Sequence, residues 1–378
     1  MRLPTELWTV IASHLRRRDL LPMLRVDCTR AQVAEQFIYN EILLRHNREG
    51  RLALLKPEVV HALFAYLASP RGERAARRVL TLDAFWNHER GSSDVSTMLC
   101  EALVRLGNLQ VLRAGTSVDR IKLEVLLAQH SWPALRHVYI DSAEVPRSFL
   151  ARHPLIEVFR TCFGVKHAGH PRTIGVTCLS TVCVTTYADC TYIFSVQQPS
   201  LVRVDVVSNH DMLECLALAL NQSPSIRQLN FAWTGRFTIE HVLAQVPLLR
   251  RRQIISCGVW IFPISDLASL AGVDTEVTAV MLILQQLDTA FPSLERLSFQ
   301  YVGVYQDSYK DQMAISRRLA HTVQGLISGS YVSDGVLSSL RHISLGLLVT
   351  VHRASGNERF HIQEKSQAVI PDPMYAAW

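Results

Sequence analysis

Cysteine and histidine side chains, the usual ligands of zinc, crowd one stretch of the sequence. A structural zinc site needs close ligand pairs, such as Cys-x-x-Cys facing a second pair of cysteines or histidines. The closest pair in this stretch, His167-x-x-His170, has no opposing Cys-x-x-Cys. We therefore predict no metal site and no cofactor, and interpret the cysteines as core thiols and the histidines as surface side chains. The stretch contains Cys162, His167, His170, Cys178, Cys183 and Cys190.

The common signatures of catalytic sites do not occur in the sequence. It contains no G-x-S-x-G, H-E-x-x-H, phosphate-binding P-loop or G-x-G-x-x-G, which are patterns of hydrolases, metallopeptidases and nucleotide-binding enzymes. His88 and Glu89, near Asp94, are interpreted as polar residues of an ordinary loop. An enzyme whose site is assembled from distant residues leaves no such trace. We nevertheless expect a protein without enzymatic activity.

Apolar residues recur in a pattern that predicts the elements of the fold. Counted from a proline or another turn residue, they occupy positions +2, +5 and +7, as in Pro133 followed by Leu135, Val138 and Ile140. The leading residues of adjacent copies lie 21 to 26 residues apart. This period is typical of repeats that each consist of a strand, a turn and a helix. A single repeat of this kind cannot bury its apolar face without its neighbours. The copies open at Gly107, Pro133, Pro154, Pro199, Pro224, Pro292 and Ser338.

We therefore predict an α/β fold, a leucine-rich-repeat-like solenoid with a parallel sheet and outer helices, preceded by three short helices. The repeat pattern is weak at 162–190 and 250–275, where irregular repeats or insertions are expected. After the last copy, alternating apolar residues on both sides of a Ser-Gly-Asn turn predict a β-hairpin that protects the final edge. The predicted segments are a helical head at 1–45, connecting helices at 46–76, the solenoid at 77–345, and the hairpin cap and tail at 346–378.

The net charge of +6 is concentrated near the N-terminus. Residues 1–80 hold 14 Lys+Arg against 8 Asp+Glu, whereas residues 81–378 hold 25 of each. A nucleic-acid-binding solenoid would carry its basic excess on the extended face, so nucleic acid is not the expected partner. No apolar run reaches the roughly 18 residues of a membrane span, and nothing resembles a signal peptide. We expect a cytoplasmic or nuclear protein with reduced cysteines and no membrane association.

The head carries its own pattern of apolar residues. Leu7, Ile11 and Leu15 form one stripe of the first predicted helix, and Thr29 with Gln32 fits a capping box at the start of the third. The pattern as a whole resembles the F-box, in the form common among fungal F-box proteins with leucine-rich-repeat-like C-terminal regions. A Trp often found early in the third F-box helix is missing, with Ala31 and Gln32 in that region. The matching residues are Leu3-Pro4-x-Glu6-Leu7, Ile11, Leu15, Asp19-Leu20-Leu21, Leu24, Val26 and Ala34-Glu-x-Phe37-Ile-Tyr39-x-x-Ile42.

The resemblance implies a substrate-recognition subunit of a Skp–cullin–F-box ubiquitin ligase. In such a subunit the F-box binds the Skp adaptor, and through it the cullin, while the repeats bind a target protein whose identity is unknown. A helical unit of about 40 residues has too small a core to be stable alone, so part of its apolar surface should be shared. The alternative is that these side chains pack against residues 43–76. The expected adaptor contacts are Leu3, Pro4, Leu7, Ile11, Leu20, Leu21 and Leu24.

Strand alternation predicts where a target would bind. If positions +5 and +7 point into the core, position +6 points to the open face of the sheet. The side chains at +6 are mixed in charge, which favours a protein partner over a phosphate backbone. Binding by loops, with the sheet face merely solvated, is equally compatible. The +6 residues are Arg113, Tyr139, Arg160, Cys183, Asp205, Asn230, Ser298 and Ser344.

Two other functional classes remain open at this point. The first is a leucine-rich-repeat scaffold or protein-recognition module with no role in ubiquitin ligation. The second is a nucleic-acid-associated protein that uses the basic N-terminal residues.

Overall fold

The computed structural model divides the chain into two compact units, Met1–Cys178 and Leu179–Trp378. The division falls within 162–190, one of the stretches where the repeat pattern is weak. Both units contain parallel strands that alternate with helices. The structure describes residues 4–15, 17–44, 57–84, 93–115, 118–140, 143–161, 165–166, 178–206, 212–233, 244–261, 276–301, 309–328, 339–345, 349–353 and 360–364.

The head of unit 1 folds around a small apolar core. Asp27, not Thr29, caps its last helix, because the Asp27 side chain accepts a hydrogen bond from the backbone N–H of Arg30 at 2.8 Å. That N–H has no partner within the helix, so a carboxylate just before the first turn stabilises it. The elements are α1 (Thr5–His14), α2 (Arg17–Leu20), a 3-10 turn (Leu21–Arg25) and α3 (Cys28–Tyr39). The core comprises Ala12, Leu20, Met23, Val33 and Ala34, with Trp8, Leu24, Phe37 and Ile38 packed against it.

The sheet of unit 1 begins earlier than the sequence indicates. A strand at Glu41–Leu43 follows α3 almost directly and pairs in parallel with the strand at Thr81–Ala84. Ile42 is buried between its two exposed neighbours, which is the alternation of a half-buried strand. The backbone N–H groups of Leu80 and Thr81 both donate to the carbonyl oxygen of Asn40. The head is therefore joined to the repeats through backbone hydrogen bonds as well as through the chain.

Within the part of unit 1 that the structure describes, five parallel strands form the main sheet, in the order β1-β2-β3-β4-β6, and β5 and β7 form a separate parallel pair. The strands are β1 (Glu41–Leu43), β2 (Thr81–Ala84), β3 (Val111–Ala114), β4 (His137–Ile140), β5 (Val145–Pro146), β6 (Val158–Thr161) and β7 (Val165–Lys166). The helices between them are α4 (Pro57–Ala68), a 3-10 turn (Pro70–Gly72), α5 (Glu73–Ala76), α6 (Ser93–Arg105), α7 (Arg120–Gln129) and α8 (Arg147–Arg152).

Unit 2 repeats the arrangement and ends in a hairpin. Its strands β8 to β13 pair in parallel and in chain order, and β14 and β15 then add two antiparallel strands, at the residues where the sequence predicts a hairpin. The strands are β8 (Thr181–Val184), β9 (Arg203–Val206), β10 (Gln228–Trp233), β11 (Ser256–Ile261), β12 (Arg296–Tyr301), β13 (His342–Leu345), β14 (Val349–Arg353) and β15 (Phe360–Glu364). The helices are α9 (Tyr187–Ile193), α10 (Met212–Gln222), α11 (Leu248–Arg252), α12 (Glu276–Ala290) and α13 (Tyr309–Ser328).

Burial follows the repeat pattern read from the sequence. In the copy that opens at Pro133, Leu135, Val138 and Ile140 are all buried, and the same three positions are buried in the other copies. Consecutive strands pair with no shift of register, so side chains at equivalent repeat positions form rows across the sheet. The predicted leucine-rich-repeat-like architecture, a parallel sheet with helices in the connections, is confirmed by this topology.

Candidate interaction surfaces

The head exposes a group of apolar side chains. On α1, Leu7 is 48% exposed and Ile11 is 40% exposed, while Ala12 and the partly buried Trp8 face the core. Leu21, in the 3-10 turn, is 53% exposed. Leucines and isoleucines left this open in a unit with so small a core make the head a candidate docking surface. We call this set the head stripe: Leu7, Val10, Ile11, Leu15, Leu21 and Val26.

The head stripe only partly matches the adaptor contacts expected from the sequence. Pro4, like Leu7, Ile11 and Leu21, is exposed. Leu20 is only 1% exposed and lies in the head core, so it offers no surface contact in this structure. Leu24 is partly buried against the same core. Leu3 lies outside the described residues.

A cluster of polar side chains holds the head against the first repeat of unit 1. Glu35 on α3 accepts a hydrogen bond from Arg74 Nη2 at 2.7 Å, and its second oxygen lies 4.0 Å from Arg78 Nε. Arg78 also donates from Nη1 to the backbone oxygen of Gln32 at 2.6 Å. The Glu35 side chain is largely buried, where ion pairs are screened less than in water. These bonds fix the orientation of the helix that follows the head stripe.

The +6 residues of unit 1 form one row across its sheet. Arg113, Tyr139 and Arg160 are register partners on β3, β4 and β6, and Asp83 on β2 occupies the equivalent position. Asp83 is fully buried and its Oδ2 accepts a hydrogen bond from Arg113 Nη1 at 3.4 Å. The Cζ atoms of Arg113 and Arg160 lie 4.6 Å and 5.8 Å from the centroid of the Tyr139 ring. We call these four residues the arginine–tyrosine row.

The Tyr139 ring contacts both guanidinium groups of the row. Attraction between a guanidinium and an aromatic face contributes about 0.5–2 kcal/mol depending on desolvation. His137 lies two residues before Tyr139 on β4, on the same face. Burial lowers the pKa of His137 below its usual value, and Glu157 partly offsets this while Arg113 adds to it. His137 is therefore a neutral neighbour of the row at pH 7.

The +6 residues of unit 2 form a second row with different chemistry. Asp205 on β9 is fully buried; its Oδ1 accepts hydrogen bonds from Arg203 Nε at 2.9 Å and from Asn230 Nδ2. Asn230 is paired in register with Gly258 on β11. Further along, the row continues through Ser298 and Ser344, and the Ser344 hydroxyl lies 2.9 Å from His342 Nε2.

Sequence reasoning missed Asp83 and Gly258, and it overestimated the exposure of several +6 residues. Asp83 lies between the buried Leu82 and Ala84, which is the alternation expected of a +6 residue. No turn residue opens that copy of the repeat, so the sequence pattern did not identify it. Cys183, expected on the open face, is buried, and so are Arg160, Asp205 and Asn230. Strand geometry thus places a +6 side chain on the open face of the sheet, whereas its exposure depends on its neighbours in the row.

The described cysteines behave as core thiols except at two positions. Cys183, Cys190, Cys215 and Cys257 are buried, Cys100 is partly buried, and Cys28 and Cys178 are exposed. Burial raises the pKa of the Cys100 thiol to about 11 and raises that of Cys257 further, which makes these thiols poor nucleophiles and metal ligands. Within the described residues no three His, Cys, Asp or Glu side chains are grouped to hold a metal ion. Cys162, His167 and His170 lie outside that part of the chain.

None of the helices in the described ranges combines the length and the apolar character needed to cross a bilayer.

Comparison with known proteins does not identify a family for this chain. No protein-family model matches the chain, and no curated protein sequence matches it. Among solved structures it is similar to the leucine-rich repeat-containing protein LegL7 from Legionella pneumophila, at 10% sequence identity and a TM-score of 0.35, over 80% of this chain and 82% of that one. The assignment as leucine-rich-repeat-like depends on the strand order, register and burial of the chain itself.

Proposed function

We propose that this chain is a non-enzymatic receptor that links a target protein to a Skp–cullin–F-box ubiquitin ligase. The head would bind the Skp adaptor, and the repeats would bind the target. The ligase chemistry would reside on other subunits. The proposal joins the F-box resemblance of the first forty residues to the strand-and-helix repeats that follow them.

The head stripe is the observation that carries the proposal. Leu7 and Ile11 are one helical turn apart and both are about half exposed, so α1 presents an apolar edge away from its own core. Burying apolar surface contributes about 25 cal/mol per Å², so an exposed stripe of this kind is best explained by a partner that covers it. A helix edge docking into an apolar groove is a common form of recognition.

The connection between head and repeats supports a receptor rather than two independent modules. The Glu35 cluster and the pairing of β1 with β2 hold the head to the first repeat. A target bound to the repeats of unit 1 would therefore be carried at a defined orientation from an adaptor bound to the head.

Binding to a purified Skp adaptor tests the proposal, with the full chain, its Leu7→Asp variant and an Ile121→Asp control. Ile121 lies on α7 and is 74% exposed, so its replacement places the same charge on an exposed apolar site of a repeat helix. We expect Leu7→Asp to weaken adaptor binding by about a hundredfold, because a carboxylate would enter an apolar contact. Ile121→Asp should bind like the unmodified chain.

Three outcomes would count against this function. Absence of adaptor binding by the folded, unmodified chain would favour the second candidate, a leucine-rich-repeat scaffold without a ligase role, which agrees with the missing third-helix Trp. Equal weakening by both variants would show that the head stripe is not the contact. Global unfolding of Leu7→Asp by circular dichroism would identify Leu7 as a core residue.

A further inference from the structure

Two cysteines of unit 2 lie in contact with each other, outside the interaction surfaces described above. We propose that Cys190 and Cys215 are an oxidation site, at which hydrogen peroxide joins the two thiols in a disulfide bond. The two residues lie on the helices α9 and α10 and belong neither to the head stripe nor to the rows of the sheet face. The inference is therefore independent of the proposed function.

The stacking of successive repeats brings the two cysteines together. The strands β8 and β9 pair with no shift of register, and the helices that follow them, α9 and α10, pack against each other. Cys190 is the fourth residue of α9, and Cys215 is the fourth residue of α10. Because successive repeats stack with equivalent positions side by side, the two thiols meet at the same end of both helices.

The contacts between the two residues are reciprocal. The Cys190 thiol donates a hydrogen bond to the backbone oxygen of Cys215 at 3.3 Å, and the two side chains also share a hydrogen bond. The Cys215 thiol lies 3.8 Å from the backbone oxygen of Thr186, which also accepts the backbone N–H of Cys190 at 3.1 Å. A disulfide forms only between side chains that already approach each other. Joining these sulfur atoms therefore calls for rotation of the side chains rather than movement of the helices.

The pair lies directly beneath the exposed start of α9. Cys190 and Cys215 are themselves buried. Thr186, whose backbone oxygen lies beside the Cys215 thiol, is exposed, and so are Tyr187 and Glu214. The ends of helices open more readily than their middles. A small uncharged oxidant such as hydrogen peroxide can therefore reach the thiols when the first turn of either helix opens.

The two thiols have different roles in the reaction. The hydrogen bond to Cys215, together with burial, raises the pKa of Cys190, so Cys190 keeps its proton. The Cys215 sulfur loses its proton and bonds to one oxygen of hydrogen peroxide, the O–O bond breaks, and the released hydroxide takes up that proton as water. The Cys190 sulfur then displaces the hydroxyl group from Cys215, and this group leaves with the Cys190 proton as a second water. The two thiols lose two electrons, which the peroxide gains.

The disulfide would fasten two successive repeats to each other. It would join residues 25 positions apart in the sequence, and a cross-link of this kind lowers the conformational entropy of the unfolded chain. Unit 2 should therefore resist unfolding more strongly after oxidation. Both thiols are free in the structure, which agrees with the reduced cysteines predicted from the sequence, so the bond would form only under oxidising conditions.

Peptide mapping of the full chain tests the inference. The chain is treated with hydrogen peroxide, the remaining thiols are blocked with N-ethylmaleimide, and the unreduced digest is analysed by mass spectrometry. We expect the Cys190–Cys215 bond to be the most abundant intramolecular disulfide of the folded chain. The same treatment in concentrated urea should show no preference for this pair, because the contact is lost on unfolding. Absence of the bond from the folded chain, or the same frequency in urea, would overturn the inference.

Matched variants connect the bond to stability. The peroxide-treated chain should have a Tm about 5 °C higher before reduction by dithiothreitol than after it. Cys190→Ser keeps a hydrogen-bond donor but cannot form the bond, so its Tm should not depend on reduction. Cys257→Ser removes another buried thiol, on β11, and should retain the full difference. The same response in all three proteins, whether a rise or no change, would overturn the assignment. If Cys190→Ser does not fold, Cys215→Ser replaces it.

Discussion

Gly258 is predicted to be a position where a single methyl group breaks a buried polar network. A Cβ atom at residue 258 would lie 2.8 Å from Asn230 Cγ and closer still to its Oδ1. The Asn230 amide occupies this space because its Nδ2 donates to the fully buried carboxylate of Asp205. Gly258→Ala must therefore push the Asn230 side chain away from Asp205.

The expected cost follows from two opposing contributions. A lost hydrogen bond to a charged group costs about 1.5–3 kcal/mol. Replacing a strand glycine by alanine gains about 0.5–1 kcal/mol from the lower entropy of the unfolded chain. Arg203 still donates to Asp205 at 2.9 Å, so the carboxylate does not lose all of its partners. We expect a net decrease in the free energy of unfolding of about 1–2 kcal/mol.

Urea denaturation followed by circular dichroism measures this change, with Gly325→Ala as the control. Gly325 lies in α13 and a Cβ atom there would meet nothing within 4 Å, so this variant should be stabilised by about 0.5–1 kcal/mol. The decisive comparison is a double-mutant cycle. In an Asn230→Ala background, Gly258→Ala should instead stabilise by about 0.5–1 kcal/mol, which gives a coupling energy of about 1.5–3 kcal/mol. Additive effects, or a stabilised Gly258→Ala single variant, would refute the reasoning.

Two other predictions concern the cores of the two units. The buried His153 accepts a hydrogen bond at Nε2 from the backbone N–H of Trp132 (2.9 Å), while its Nδ1 lies 2.6 Å from the Phe149 carbonyl oxygen. Burial lowers the pKa of His153 in the folded chain, so as the pH falls the unfolded chain takes up the proton first. The free energy of unfolding should therefore decrease as the pH drops below about 6.5, and this histidine contributes at most about 1.4 kcal/mol per pH unit. This slope should be shallower in His153→Asn, and an identical slope would contradict the assignment. Leu229→Asp should destabilise unit 2 by at least about 4 kcal/mol, because it places an unpaired charge in the core. Thermal unfolding measures this loss, and Val202→Asp, which changes a half-exposed side chain, should have little effect. Similar losses in both variants would refute the placement of Leu229 in the core.

The repeat spacing was enough to predict the strands and their buried positions, because each copy contributes the same three apolar residues to one core. It failed where a copy lacks its turn residue. The strand β11 lies in the stretch 250–275, where no proline opens the copy, yet Ile254, Cys257 and Val259 keep the spacing and are buried. Only its pairing with β10 and β12 makes that copy clear. The need for a glycine at position 258 could not be recognised from the sequence, because it arises from the side chain of Asn230 on the neighbouring strand.

The head shows a different limit of sequence reasoning. Leu20 and Leu21 are adjacent leucines of the same motif, and no periodicity distinguishes them. The change from α2 to a 3-10 turn at Leu21 decides the outcome, because it directs Leu20 into the head core and leaves Leu21 exposed. The strand β1 was also missed, since its three residues are too few to establish an alternation. Both features are set by tertiary contacts rather than by local sequence.

The arrangement of unit 1 explains why its two candidate surfaces should be tested in the full chain. Leu43, on β1, is the register partner of Asp83, so the strand that leaves the head stands beside the arginine–tyrosine row. The side chain of Asp83 is held at Arg113, while its backbone oxygen accepts a hydrogen bond from the N–H of Leu44 at 2.9 Å. Asp83 thus contacts both Leu44, at the end of the head, and Arg113, its neighbour in the row. Removing residues 1–44 to isolate the repeats would strip β1 from β2 and expose an unpaired strand edge. Loss of target binding in such a truncation would then report damage around Asp83 rather than a binding role for the head, which is why point variants such as Leu7→Asp are the informative ones.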